Sequence, residues 1–72
     1  MTRYLSAESA TQDDFGTPFT MKEGEVVYDA KTVYGPWAMM TEQNFRNVGV
    51  GLGTGLGQKY VRHRGELHKV EG

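Results

Sequence analysis

The side chains best suited to chemistry in this 72-residue sequence crowd its last third, where Lys59, Arg62, His63, Arg64, His68 and Lys69 surround Tyr60. Cationic side chains neutralise phosphates and a tyrosine ring stacks on an unpaired base, so this grouping suits a single-stranded nucleic acid held without sequence readout. The same charges would also solvate an edge strand and discourage aggregation through it. Just upstream, Gly49-Val-Gly-Leu-Gly-Thr-Gly-Leu-Gly57 places glycine at every odd position. Backbone amides cleared of side chains can converge on an anion. The spacing nevertheless fits no nucleotide motif: counted from Gly51, Leu56 stands where the dinucleotide fingerprint requires glycine, and no Gly-Lys-Ser/Thr follows.

Groups for catalysis are scarce. Ser6 and Ser9 are the only serines, cysteine is absent, and His63 and His68 have no acid at a spacing that fixes their geometry. Asp13, Asp14 and Asp29 lack the alternating oxygen donors of a calcium loop. The expectation is a noncatalytic protein with no metal, no cofactor and no small-molecule substrate. Formal net charge is −1, but its distribution is uneven. Seven acids against three bases give residues 1–45 a net −4, and five bases against two acids give residues 46–72 a net +3. No apolar run of 18 residues marks a membrane span, and the first ten residues lack the apolar stretch of a signal peptide, so the expected setting is soluble and cytoplasmic.

Elements that could position these groups must be small, because a chain of 8.0 kDa supports one thin core. Residues 1–11 read as a polar arm, 12–64 as a single domain and 65–72 as a tail. Gln12 to Pro18 is dense in turn formers. Phe19-Thr-Met21 and Glu25-Val-Val-Tyr28 read as a hairpin about Gly24, Asp29-Ala-Lys31 as a reversal, and Thr32-Val-Tyr34 and Trp37-Ala-Met-Met40 as further strands, with Pro36 at an edge, a bulge or a bend. Thr41 caps a helix through Val48 that buries Phe45 and Val48, and Gly49 stops it. The glycine run has the period of an extended strand, one face bare backbone, and leads into a strand at 58–64. If that bare face is an approach surface, Gly53 and Gly55 accept alanine without loss of folding. Tyr28, Tyr34, Trp37, Met39, Met40 and Phe45 supply most of the core, with an aromatic left over as an interface anchor.

Lys31 to Tyr60, with its Gly-Pro-Trp-Ala stretch, short helix and closing Gly-x-Gly-x-Gly-Thr-Gly-x-Gly-Gln-x-Tyr run, resembles a group of very small bacteriophage proteins of unassigned function. In that group a Cys-x2-Cys turn and a second Cys-x2-Cys at the helix start form a zinc-ribbon or treble-clef-like site. Matched here, those positions hold Gln12, Phe15, Thr41 and Asn44, none of them a thiolate. The resemblance therefore implies a zinc-finger-like α+β domain without metal, from a phage, acting in the host cytoplasm. Phe15 is expected to plug the space the metal would have filled.

The function expected from these readings is binding, with possible modulation, of a host or phage protein. Nucleic-acid binding through the glycine-rich segment and basic strand is the alternative, and a virion structural or self-associating role another. The expected contact residues are Gly51, Gly53, Gly55, Gly57, Lys59, Tyr60, Arg62, Arg64 and Trp37.

Overall fold

The computed structural model describes residues 8–72. Most of the expected arm, residues 1–7, lies outside the described residues. Strands β1 (Val26–Lys31) and β2 (Trp37–Thr41) are followed by helix α1 (Glu42–Val48) and strands β3 (Gly57–His63) and β4 (Glu66–Glu71). The four strands form one antiparallel sheet in the order β2-β1-β3-β4. The protein is a small α+β domain.

Alternation along β1 divides the core between the two faces of the sheet. Tyr28, Ala30, Ala38 and Met40 face α1, whose Phe45 and Val48 pack on them together with Leu52. The Tyr28 and Phe45 rings stack with centroids 4.0 Å apart. Val27 and Met39 point to the opposite face, where Phe19 covers them and Ala10 and Leu67 pack alongside. Helix α1 begins as expected, with the Thr41 hydroxyl accepting from the Asn44 amide at 3.3 Å, and the Gly49 amide donates to the Phe45 carbonyl at 2.8 Å at its end.

The connections differ from the sequence expectation in four places. Residues 19–21 are not a strand: Met21 and Gly24 take positive φ, and the Glu25 carboxylate accepts from the Thr20 and Met21 amides at 2.7 and 3.0 Å. That side chain folds the segment back, and the Glu25 backbone pairs with Arg62 instead. Asp29-Ala-Lys31 is no reversal but the second half of β1, because Ala30 is the small residue the sheet centre requires between Ala38 and Gly57. The reversal falls at Thr32 to Pro36, where the Thr32 hydroxyl donates to the Pro36 carbonyl at 2.8 Å and Gly35 takes φ 109°. Residues 66–71, expected in a tail, form β4 and pair with β3 across an Arg64-Gly65 turn.

The glycine run is extended only in its first half. Gly49 bridges Thr32, and the Val50 amide donates to the Lys31 carbonyl at 3.0 Å. Gly53 and Gly55 then adopt φ of 117° and 78°, and Gly53 and Gly57 exchange two backbone hydrogen bonds that close a tight loop. Positive φ breaks the two-residue period, so there is no continuous bare face.

Candidate functional site: an aromatic groove

The turn over residues 12–18 is organised by the buried Asp13 carboxylate. One oxygen accepts from the Phe15 and Thr17 amides at 3.0 and 2.9 Å, which is the way an aspartate nucleates a turn. The other accepts from the Thr41 amide at 3.0 Å and from Asn44 Nδ2 at 2.7 Å. Burial pushes this carboxyl up, but the hydrogen bonds from Thr41, Asn44, Thr17 and Phe15 together outweigh it and hold the group below the ordinary carboxylate range. Turn and helix start are thereby one unit.

Asp14 ties the same turn to the outer edge of β2. Its amide donates to the Met39 carbonyl at 3.0 Å and its carboxylate accepts from the Met39 amide at 2.7 Å. This pairing closes an edge that would otherwise be open and sets Phe15 beside the start of β2. Trp37 lies there, and the Thr32–Pro36 loop brings Tyr34 and Pro36 to the same place. Asp14, Phe15, Tyr34, Pro36, Trp37 and Ala38, with Thr32, line an open groove of about 340 Å³.

Its rings are unusually exposed for a chain with so little apolar area to spare. Tyr34 is 72%, Phe15 47% and Trp37 39% accessible. Phe15 is therefore not a core plug. The space between turn and helix is occupied by the Asp13 carboxylate and its donors, because four hydrogen bonds converge there and the Phe15 backbone amide, not its ring, points in. Of the large residues expected in the core, Tyr28, Met39 and Met40 are buried, and Tyr34 and Trp37 are not.

The expected basic and glycine-rich contact surface is not assembled. Arg62 is 1% exposed, with Nε 2.9 Å from Glu25 Oε1, Nη1 donating to the Glu8 carbonyl at 3.1 Å and the guanidinium 5.9 Å from the Phe19 ring centroid. Tyr60 is buried and its hydroxyl bonds Gln58 Oε1 at 2.8 Å. Neither can stack on a base or reach a phosphate without opening the core. Lys59 is half-buried on the opposite face of β3, and Arg64 is exposed at φ 52° in the β3–β4 turn. Gly57 lies inside the sheet, where a Cβ would run into Ala30 Cβ and sit 2.6 Å from the Gly51 carbonyl oxygen. Gly51, Gly53 and Gly55 have no such close neighbour. Of the nine expected contact residues, only Trp37 belongs to the groove.

A second polar cluster joins the two turns at the far end of β3. Glu23 bonds His63 Nδ1 and accepts from the Arg64 amide at 2.9 Å, while His68 Nε2 lies 3.2 Å from Glu66. The Arg64 amide first and the His63 ring second hold the exposed Glu23 carboxyl below its ordinary value. Among the described residues no group of three or more His, Asp or Glu side chains is arranged to hold a metal ion, and no described helix is long and apolar enough to cross a membrane.

Asp13, Asp14, Thr17, Asn44 and Tyr34 escaped the sequence reading as site residues. A local signal existed for the first: an aspartate two residues before an amide it can cap, with Gly16 to turn the chain, is an Asx-turn pattern. Comparison with protein-family models, with curated proteins and with solved structures finds no match.

Proposed function

We propose that this is a noncatalytic protein that binds another protein through the Phe15, Tyr34 and Trp37 groove. The observation that carries the reading is the exposure of these three rings around one depression, in a small domain that buries only Phe19, Tyr28 and Tyr60 among its described aromatic side chains. Aromatic residues left at the surface in one cluster are the usual anchors of protein interfaces, since each contributes large contact area with few rotatable bonds. The burial of Arg62 and Tyr60 favours this reading over the nucleic-acid alternative, which would use both side chains.

The resemblance to small phage proteins supports a host or phage protein as the partner and the host cytoplasm as the place. It also supports a zinc-finger-like architecture without metal, in which the Asp13 hydrogen bonds join the two segments that a zinc ion joins elsewhere. Affinity capture from infected-cell lysate tests the function: wild-type protein should retain a partner that the Tyr34→Ala, Trp37→Ala double variant loses while its melting temperature changes by only a few degrees. Equal capture by both proteins would refute the groove. Strong binding of labelled single-stranded DNA or RNA that weakens steeply with salt would favour the nucleic-acid alternative.

A further inference from the structure

His63 and His68 lie diagonally across the β3–β4 pair and point to the same side of the sheet, with ring centroids 5.8 Å apart. Sequence spacing offers neither imidazole a fixed acid, but the fold supplies one to each. Glu23, 40 positions from His63, bonds its Nδ1, and Glu66 lies 3.2 Å from His68 Nε2. The Arg64 amide holds Glu23 in turn, at 2.9 Å.

A carboxylate only accepts, so in a neutral imidazole the proton sits on the ring nitrogen that faces the acid and the lone pair on the other. His63 therefore presents Nε2 and His68 presents Nδ1. An imidazole backed by a carboxylate in this way is oriented and made more basic, as metal-binding histidines are. The spacing agrees, because two imidazoles that share an ion at about 2.0–2.1 Å have ring centroids roughly 5–6 Å apart. Both side chains are half exposed, so an ion reaches them without opening the core.

We propose that His63 and His68 form a surface site for a divalent transition-metal ion of the kind that favours imidazole, copper(II) above nickel(II) or zinc(II), with water in the remaining positions. Among the described residues no third side chain completes the site, so the ion is exchangeable and the fold does not depend on it. The site belongs to the β3–β4 edge of the sheet and the aromatic groove to the β2 edge, and this inference is independent of the protein-binding reading.

The test is calorimetric titration of the intact, tag-free protein with copper(II), nickel(II) and zinc(II) salts in a buffer that does not bind them, with magnesium as control. One equivalent should bind saturably, copper most tightly, and magnesium should not bind, because it prefers oxygen ligands. His63→Gln and His68→Gln should each weaken copper binding about tenfold or more and leave the melting temperature of the metal-free protein within a few degrees. Glu23→Gln keeps an acceptor for the Arg64 amide but loses one for the His63 ring, and should weaken binding by a smaller factor. No saturable binding below about 1 mM, or affinity unchanged in either histidine variant, overturns the paired site. Half an equivalent per chain would place the ion between two copies and would overturn a site within one chain.

Discussion

Asp13 and Asn44 are 31 positions apart in the chain and are joined by a 2.7 Å hydrogen bond from the amide Nδ2 to the carboxylate. The same Nδ2 reaches the Thr17 hydroxyl at 2.9 Å, and the same carboxylate oxygen takes the Thr41 amide. Helix cap, turn and outer strand are therefore fixed relative to one another by side chains of ordinary polar residues. The groove inherits its shape from this junction, since Asp14 and Phe15 belong to the turn and Trp37 to the strand on which the turn docks.

Removing the carboxylate should be costly. Asp13→Ala strands the Phe15, Thr17 and Thr41 amides and Asn44 Nδ2 in a buried site, and it is expected to cost on the order of 3 kcal/mol. In a domain of this size that lowers the melting temperature by more than about 10 °C. Asn44→Ala removes only one of the donors and should cost about half as much or less. A loss below about 1 kcal/mol for Asp13→Ala, measured by urea unfolding, would show that the turn is held by other contacts.

Acid should unfold the protein through the same group. The folded-state pKa of Asp13 is lowered, so its contribution to stability is complete above the ordinary carboxylate value near 4 and is lost as pH falls through the lowered folded value. Exposed Glu23 shifts in the same direction. Stability of the wild type should thus fall from about pH 4 toward pH 2, and Asp13→Asn should be less stable at neutral pH but show a flatter profile over that range. Parallel profiles for the two proteins would remove Asp13 from the acid transition.

What the sequence makes legible here is local. Thr41, Glu42 and Gly49 mark the helix because caps and dipole partners act within one turn, and Trp37 to Met40 reads as a strand because bulky groups favour a pleated surface. Phe19-Thr-Met21 has the composition of a strand, but its backbone is claimed by the Glu25 carboxylate, a tertiary choice that composition does not encode. Phe15 is expected in the core because an aromatic ring at a matched ligand position could fill the space of a metal. Only the distant donors at Thr41 and Asn44 reveal that the adjacent aspartate occupies the interior and sends the ring outward. The groove, built from residues 14–15 and 32–38, could not be seen before the turn was docked on β2.

The buried pair of Arg62 and Glu25 yields an asymmetric prediction. Glu25 accepts from Thr20, Met21 and Arg62, so Glu25→Ala abandons two amides and leaves a guanidinium buried without its counterion. That is expected to cost about 3–5 kcal/mol. Arg62→Met keeps most of the volume over Phe19 and removes the charge that needs a partner, so it should be milder by more than about 1 kcal/mol. Moderate salt should change neither value much, because a pair this buried is poorly screened. Equal costs for the two substitutions would mean that packing at Arg62, not the charge of Glu25, fixes this face.

The glycine run offers the most discriminating test, because its members are held by different physics. Gly57 is opposed by backbone: a Cβ would meet Ala30 and the Gly51 carbonyl oxygen in the middle of the sheet, where neither can move without disturbing β1 or the loop. Gly49 is opposed by the Phe45 ring, which can yield only by disturbing its stacking on Tyr28, and by the Phe45 carbonyl oxygen at 2.7 Å, which cannot move without disturbing the helix end. Gly53 and Gly55 have open space around them but take positive φ, so alanine there is strained by its own backbone, by about 1–2 kcal/mol. Gly51 has neither constraint, its nearest neighbour being Leu56 Cδ1 at 3.8 Å, and alanine there is expected to be neutral or slightly stabilising through the entropy of the unfolded chain. The predicted order of destabilisation by alanine is therefore Gly57 first, Gly49 second, Gly53 and Gly55 together third, and Gly51 last. Asparagine at 55, where φ is 78°, should recover part of the alanine loss, because its side chain tolerates the left-handed region; at 53, where φ is 117°, it should not. Thermal melting of these variants decides the matter: a Gly51→Ala variant as damaged as Gly57→Ala, or Gly53→Ala and Gly55→Ala variants that melt like the wild type, would contradict the assignment of Gly57 to the sheet and of Gly53 and Gly55 to the loop's backbone geometry.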